Sequence, residues 1–201
     1  PNTSTLTSPR KTNTTVAPIL VTGKQAERAK FELNWCFDQY PTSEMLILRE
    51  QATSSFSPAL HAKLFSLDAK DYVEAISELE QAADSDNGQS MLLDCLDIVL
   101  KWLTVRLFDT NAVILKKTIH FTSHLFGLME IWQLSLSDLE ARSFIPGCLV
   151  RIPCLVDETM RSQLRELAAK FPSWYPSSKL AKLLAKSLQS DKAASRLELI
   201  R

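Results

Sequence analysis

The stretch Met91–Phe108, MLLDCLDIVLKWLTVRLF, constrains the fold more than any other part of the chain. Its apolar residues fall at helical spacing and cover nearly the whole circumference, whereas a surface helix is apolar along one stripe only. A helix of this kind has to be packed on several sides at once. It is not a bilayer span, because Asp94, Asp97, Lys101 and Arg106 interrupt it. A helix sandwiched between neighbours in a stack satisfies the pattern.

The polar triplet Asp109-Thr110-Asn111 ends this stretch, and a second apolar helical pattern follows at once. Asn111 is suited to cap that next helix through its side-chain oxygen. Similar punctuation recurs along the chain and predicts helices over about 42–54, 58–65, 69–85, 88–108, 111–131, 137–152, 157–171, 176–189 and 191–201. Asp68, Asn87, Asp157 and Asp191 are further expected caps, Ser137 and Glu140 have capping-box spacing, and Pro58 suits a first helical turn. Pro146 falls inside the 137–152 pattern and is expected to kink or split it. The helices group in pairs whose second members begin near Ala69, Asn111, Asp157 and Asp191, at intervals of about 42, 46 and 34 residues. Such intervals fit an all-α solenoid of HEAT-like repeats.

Residues 1–23, rich in Ser, Thr and Pro, read as a flexible linker. Residues 24–56 read as an N-terminal extension, helical and extended, packing on the first repeat. Within it Phe31, Leu33, Trp35 and Phe37 alternate as one docked face of an extended segment would. Residues 57–201 then hold about four repeats.

Lys and Arg number 23 and so do Asp and Glu, so no global charge points to nucleic acid. With no long apolar run and no charged-then-apolar leader pattern, no membrane partner and a cytoplasmic location are expected. The four cysteines (Cys36, Cys95, Cys148, Cys154) lack metal or disulfide-framework spacing and are expected to be buried free thiols. His120 and His124, four apart, could in principle share a metal, but no third ligand stands at a telling interval. No nucleophile elbow, phosphate loop or metalloprotease motif occurs, so no enzyme, metal or cofactor is expected. Trp102, set among Leu100, Leu103 and Val105, reads as core rather than as a binding anchor.

The run LDIVLKWLTVRLFDTN (Leu96–Asn111) closely resembles the TOG domains of the ch-TOG/Mini spindles family of microtubule polymerases, most of all the fifth TOG domain of such arrays. Ser143-Phe-Ile-Pro146, Tyr175-Pro-Ser-Ser-Lys179 and Arg196-Leu-Glu198 follow in register, and the likeness extends from about Phe31 onward. The resemblance implies a paddle of HEAT repeats whose intra-repeat turns bind αβ-tubulin and microtubules, next to sibling TOG domains, at the cytoskeleton, spindle and centrosome. Carried over by position, the tubulin-binding residues are Asp68, Ala69 and Lys70 in the first turn and Asp109, Thr110 and Asn111 in the second. Arg151, Asp157 and Arg161 belong to the third, and Lys192 and Arg196 to the fourth. Strong tubulin binders in the family carry a tryptophan where Ala69 stands, which implies a preference for lattice over free tubulin. The TOG pattern of six repeats also implies a chain cut short at its C-terminus. A HEAT-like protein–protein scaffold with a degenerate tubulin surface is the alternative.

Overall fold

The computed structural model describes residues 42–188 together with Arg28, and among these every regular element is a helix. In chain order they are α1 (Thr42–Ala52), α2 (Pro58–Leu64), α3 (Ala69–Ala83), α4 (Asp86–Asp94), α5 (Leu96–Leu107), α6 (Ala112–Ile131) and α7 (Asp138–Arg151). A 3₁₀ turn (Ile152–Cys154) leads to α8 (Glu158–Ala169), α9 (Phe171–Trp174) and α10 (Ser177–Leu188). The segment Phe31–Phe37, the linker expected over 1–23, the helix expected over 191–201, and Lys192 and Arg196 lie outside the described residues.

The helices form two layers. In one, α1, α5, α7 and α10 lie side by side; in the other, α3, α6 and α8 do. Each intra-pair connection joins one layer to the other: α2 packs on α3, α5 on α6, and α7 on α8. This is the helix-pair solenoid expected from the spacing, and α5 is its centre. Every residue from Leu96 to Leu107 is buried, as the all-round apolar pattern requires. Trp102 is 1% exposed, and its indole Nε1 donates to the Leu64 carbonyl at 2.7 Å, tying α5 to the end of α2.

Local chemistry explains most boundaries. Asp68, Asn111 and Asp157 cap α3, α6 and α8 through side-chain oxygens. Ser137 and Glu140 close a reciprocal capping box on α7, with Glu140 accepting from the Ser137 amide at 2.6 Å. The end of α6 places Gln133 in the left-handed region (φ 54°), where Leu134 donates back to the Met129 carbonyl at 2.9 Å.

Four expectations are corrected. The pattern over 88–108 is two helices, because Cys95 leaves helical geometry (φ −127°, ψ 23°) and turns the chain from α4, on α3, into the buried α5. The cap of α4 is Ser85, not Asn87; its hydroxyl accepts from the Gly88 amide at 3.3 Å. Pro146 does not split α7, which continues to Arg151. Phe144, Ile145 and Cys148 are fully buried around it, and the packing on both sides holds the helix against the missing amide. Finally, Cys95 and Cys148 are buried free thiols, but Cys154 is exposed in the 3₁₀ turn, where the backbone has already left the packed helix. Burial raises the Cys148 pKa to about 12.

A cluster of ionisable side chains is buried between α5 and α7. Arg28 forks onto Asp97, Nε donating to Oδ2 at 3.0 Å and Nη2 to Oδ1 at 2.7 Å, and Nη2 also reaches the Asp94 carbonyl at 2.8 Å. Lys101 Nζ lies 3.9 Å from the same carboxylate. Burial lowers the Lys101 pKa against the pull of Asp97, and burial raises that of Glu140 against its Ser137 bonds.

Candidate protein-binding edge

The second-layer helices run parallel, and their register is visible in contacts between neighbours. Lys117 donates to Ser77 at 2.8 Å, His120 faces Glu80 at 3.2 Å and His124 faces Asp84 at 3.5 Å, all between α6 and α3. Lys170 at the end of α8 meets Glu130 near the end of α6 at 3.5 Å. The N-termini of α3, α6 and α8 therefore share one end of the layer, and the three turns that precede them form one edge. The two histidines serve this seam; among the described residues, no group of three His, Cys, Asp or Glu side chains is placed to hold a metal.

In the first turn, Asp68 accepts from the Lys70 amide at 2.9 Å as the α3 cap. The Ser66 hydroxyl donates to Asp71 at 2.6 Å and accepts from the Asp68 amide at 3.0 Å, while the Tyr72 hydroxyl donates to the Ser66 carbonyl. Lys70 is exposed, and Ala69 is half-buried against the core as the first helical residue. The tip of this turn is Leu67, 100% exposed.

The second turn is held from within. Asp109 accepts from Arg106 Nη1 at 3.1 Å through one oxygen and from the Asn111 amide at 2.9 Å through the other. Asn111 in turn accepts from the Val113 amide at 2.9 Å. Thr110 and Val113 face solvent, Val113 being 60% exposed.

In the third turn Asp157 caps α8 by accepting from the Met160 amide at 3.0 Å. Arg161 wraps back on its own turn: Nε donates to the Leu155 carbonyl at 3.0 Å, Nη2 donates to the same oxygen, and Nη1 pairs with Glu158 at 2.6 Å. Val156 forms the tip, 96% exposed. Arg151, at the end of α7, lies half-buried with its guanidinium 5.8 Å over the Phe108 ring. Burial lowers its pKa, opposed by Cys154 and Asp109.

The sequence-named residues of three turns thus come together on one edge, but in different roles. Asp68, Asp109, Asn111, Asp157 and Arg161 are engaged in holding their own turns. Thr110 and Lys70 are open to solvent. Sequence reasoning missed the exposed aliphatic residues Leu67 and Val156 at turn tips and Val113 in the first turn of α6. A signal was available for two of them: Leu67 and Val156 each directly precede an aspartate cap, the position from which a hydrophobic staple normally packs inward. Here neither does.

No family model matches the chain. It is 30% identical to Drosophila melanogaster Protein mini spindles over 168 residues, 83% of this chain and 8% of that protein. It is 27% identical to Caenorhabditis elegans Zygote defective protein 9 over 175 residues, 87% of this chain and 12% of that protein. The chain therefore spans a small fraction of the length of these relatives. Among solved structures, one from work on how TOG–tubulin binding specificity promotes microtubule dynamics and mitotic spindle formation is 26% identical. It superposes with a TM-score of 0.76, covering 92% of this chain and 72% of that one. A TOG domain of C. elegans Zyg9, 24% identical, also gives a TM-score of 0.76, over 88% of this chain and 65% of that one. Helix order, the layered pairing and these likenesses agree: the chain is a TOG domain of the ch-TOG/Mini spindles family.

Proposed function

We propose that this domain binds αβ-tubulin along the edge formed by its intra-pair turns, as one module of a longer microtubule polymerase that carries sibling TOG domains. The observation that carries the reading is the exposure, on one rigid edge, of Leu67 and Val156 at the tips of the first and third turns and of Val113 in the first turn of α6. Three exposed aliphatic residues gathered on one rigid edge, beside capping groups that bond inward, support a contact role for that edge. Arg151 adds a cation: among the described residues no carboxylate pairs with it, so it is suited to an acidic group on tubulin. The fourth-turn residues Lys192 and Arg196 extend the same expectation.

The reading places the domain on microtubules of the cytoskeleton, spindle and centrosome. It favours tubulin in the lattice over free tubulin, as expected of a fifth-type TOG domain. The physical support is the first turn. Ala69 is turned partly into the core, and the contact there falls to Leu67, which offers less area than the tryptophan of strong tubulin binders. Burying one such aliphatic side chain contributes about 1.5–3 kcal/mol, so removing two tips removes most of the contact energy of a modest interface.

Microtubule co-pelleting tests the proposal. Leu67→Asp with Val156→Asp, or Arg151→Glu alone, is expected to reduce pelleting by about tenfold or more while the helical circular dichroism stays unchanged. Wild-type pelleting by both variants would refute the edge. A wild-type domain that neither pellets with microtubules nor binds free tubulin would favour the scaffold alternative, in which the cap residues of the turns serve the fold alone.

A further inference from the structure

Arg106 touches both of the first two turns, and its side chain is 1% exposed. Its guanidinium lies 4.1 Å over the Tyr72 ring and 5.8 Å from the Trp102 ring. Each of those aromatics anchors the α2–α3 connection: the Tyr72 hydroxyl donates to the Ser66 carbonyl, and Trp102 Nε1 donates to the Leu64 carbonyl. The two rings meet edge to face at 6.3 Å, which fixes the slot in which the guanidinium sits. From that slot Arg106 donates to Asp109, whose other oxygen holds the Asn111 amide at the α6 cap.

We infer that Arg106 is a positioning residue that couples the first and second turns, so that they open, close and present their tips as one unit, whereas the α8 cap in the third turn is closed by Arg161 on its own turn. The binding consequence rests on the tubulin-edge reading above; the coupling itself does not. The physical reason is that one buried guanidinium is shared by both turns. If the second turn moves, it loses the Asp109 carboxylate; if the first turn moves, the aromatic slot that orients it opens. Either motion forfeits contacts of the other turn. The third turn is closed chiefly within itself, with Arg161 bonding the Leu155 carbonyl and Glu158; it meets the second turn through the Arg151 guanidinium over Phe108 rather than through a shared buried ion pair. Preorganising two tips on one brace lowers the ordering cost when both are used together.

Amide hydrogen exchange on the free domain tests the coupling without any partner. Asp109→Asn keeps an acceptor for the Asn111 amide but removes the charge facing Arg106. It is expected to speed exchange of the Asp68 and Tyr72 amides, some forty residues away, by about tenfold, and to leave the Met160 and Arg161 amides unchanged. Tyr72→Phe, which removes a single hydroxyl, is expected to act in reverse and speed exchange at Asn111 and Val113, since coupling between two sites is reciprocal. Thr110→Ala, at the exposed tip of the second turn, is expected to leave the first turn as it was. Unchanged first-turn exchange in Asp109→Asn, or an equal rise in all three turns, would overturn the coupling. Microtubule pelleting by the wild-type domain separates the two proposals. Coupled exchange in the variants with no pelleting by the wild type refutes only the tubulin reading, and pelleting by the wild type without coupled exchange in the variants refutes only the brace.

Discussion

Truncating Trp102 distinguishes a core role from a contact role, and the structure sets the size of the effect. The indole is almost completely buried, meets Tyr72 edge to face, lies near Arg106 and donates to the Leu64 carbonyl. Trp102→Ala removes a buried aromatic, a change that typically costs about 3–5 kcal/mol. That is a large share of the ~5–15 kcal/mol by which domains of this kind are stable. Trp102→Phe keeps most of the ring but leaves the Leu64 carbonyl without its donor, which costs about 1–3 kcal/mol. With roughly 2–4 °C of melting temperature per kcal/mol at this size, the alanine variant should melt about 6–20 °C below wild type, with the phenylalanine variant in between. Circular dichroism melts of the three proteins, with microtubule pelleting below the lowest transition, are the assay. An alanine variant that melts with wild type yet fails to pellet would make Trp102 a contact residue and refute the reasoning.

Two further outcomes follow from the buried charges. Arg28→Met leaves Asp97 buried with Lys101 as its cation and Glu140 close by, and breaking such a pair should cost about 3–5 kcal/mol in urea unfolding; a loss below about 0.5 kcal/mol would mean that the Arg28 fork contributes nothing to the fold. The Glu140 pKa is raised above its ordinary 4.5, chiefly by burial, with Asp97 adding to the rise and Ser137 and Lys101 opposing it. Its contribution to stability is then complete below that value and is lost as pH rises through the raised pKa. Glu140→Gln keeps an acceptor for the Ser137 amide and removes this loss, so the stability of wild type relative to the variant should fall from pH ~4.5 toward neutrality, and parallel curves would refute the assignment.

The parts of the fold written in local chemistry were legible in the sequence. The caps Asp68, Asn111 and Asp157 and the Ser137–Glu140 box depend on residues within one turn of one another, and they set the helix starts that the sequence predicts. The all-round apolar pattern of Leu96–Leu107 marked the central helix for the same reason: burial on every side leaves no polar stripe. The break at Cys95 was not legible, because the residues on both sides are equally apolar. What distinguishes them is tertiary: Asp97 is drawn inward by Arg28, 69 residues earlier in the chain. Arg106 and Lys101 were misleading in the same way. In the sequence they interrupt an apolar helix, and in the structure both are fully buried.

The turns of the proposed edge illustrate why charge at a turn is poor evidence of contact. A turn that must also start a helix uses its polar side chains first on its own exposed amides, and Asp68, Asp109, Asn111 and Asp157 are all used in this way. Groups bonded inward cannot also bond outward at full strength, since each would have to release an amide to do so. On the tubulin-edge proposal, specificity then falls to whatever the turns leave over: the exposed aliphatic residues, Lys70, Thr110 and Arg151. An edge of this composition gains little from long-range attraction and more from shape, because the tips act only within contact distance of a surface that fits their spacing. That spacing is set from inside the solenoid by the register of α3, α6 and α8 and by the Arg106 brace. The buried layer thus determines which surface the exposed layer can fit.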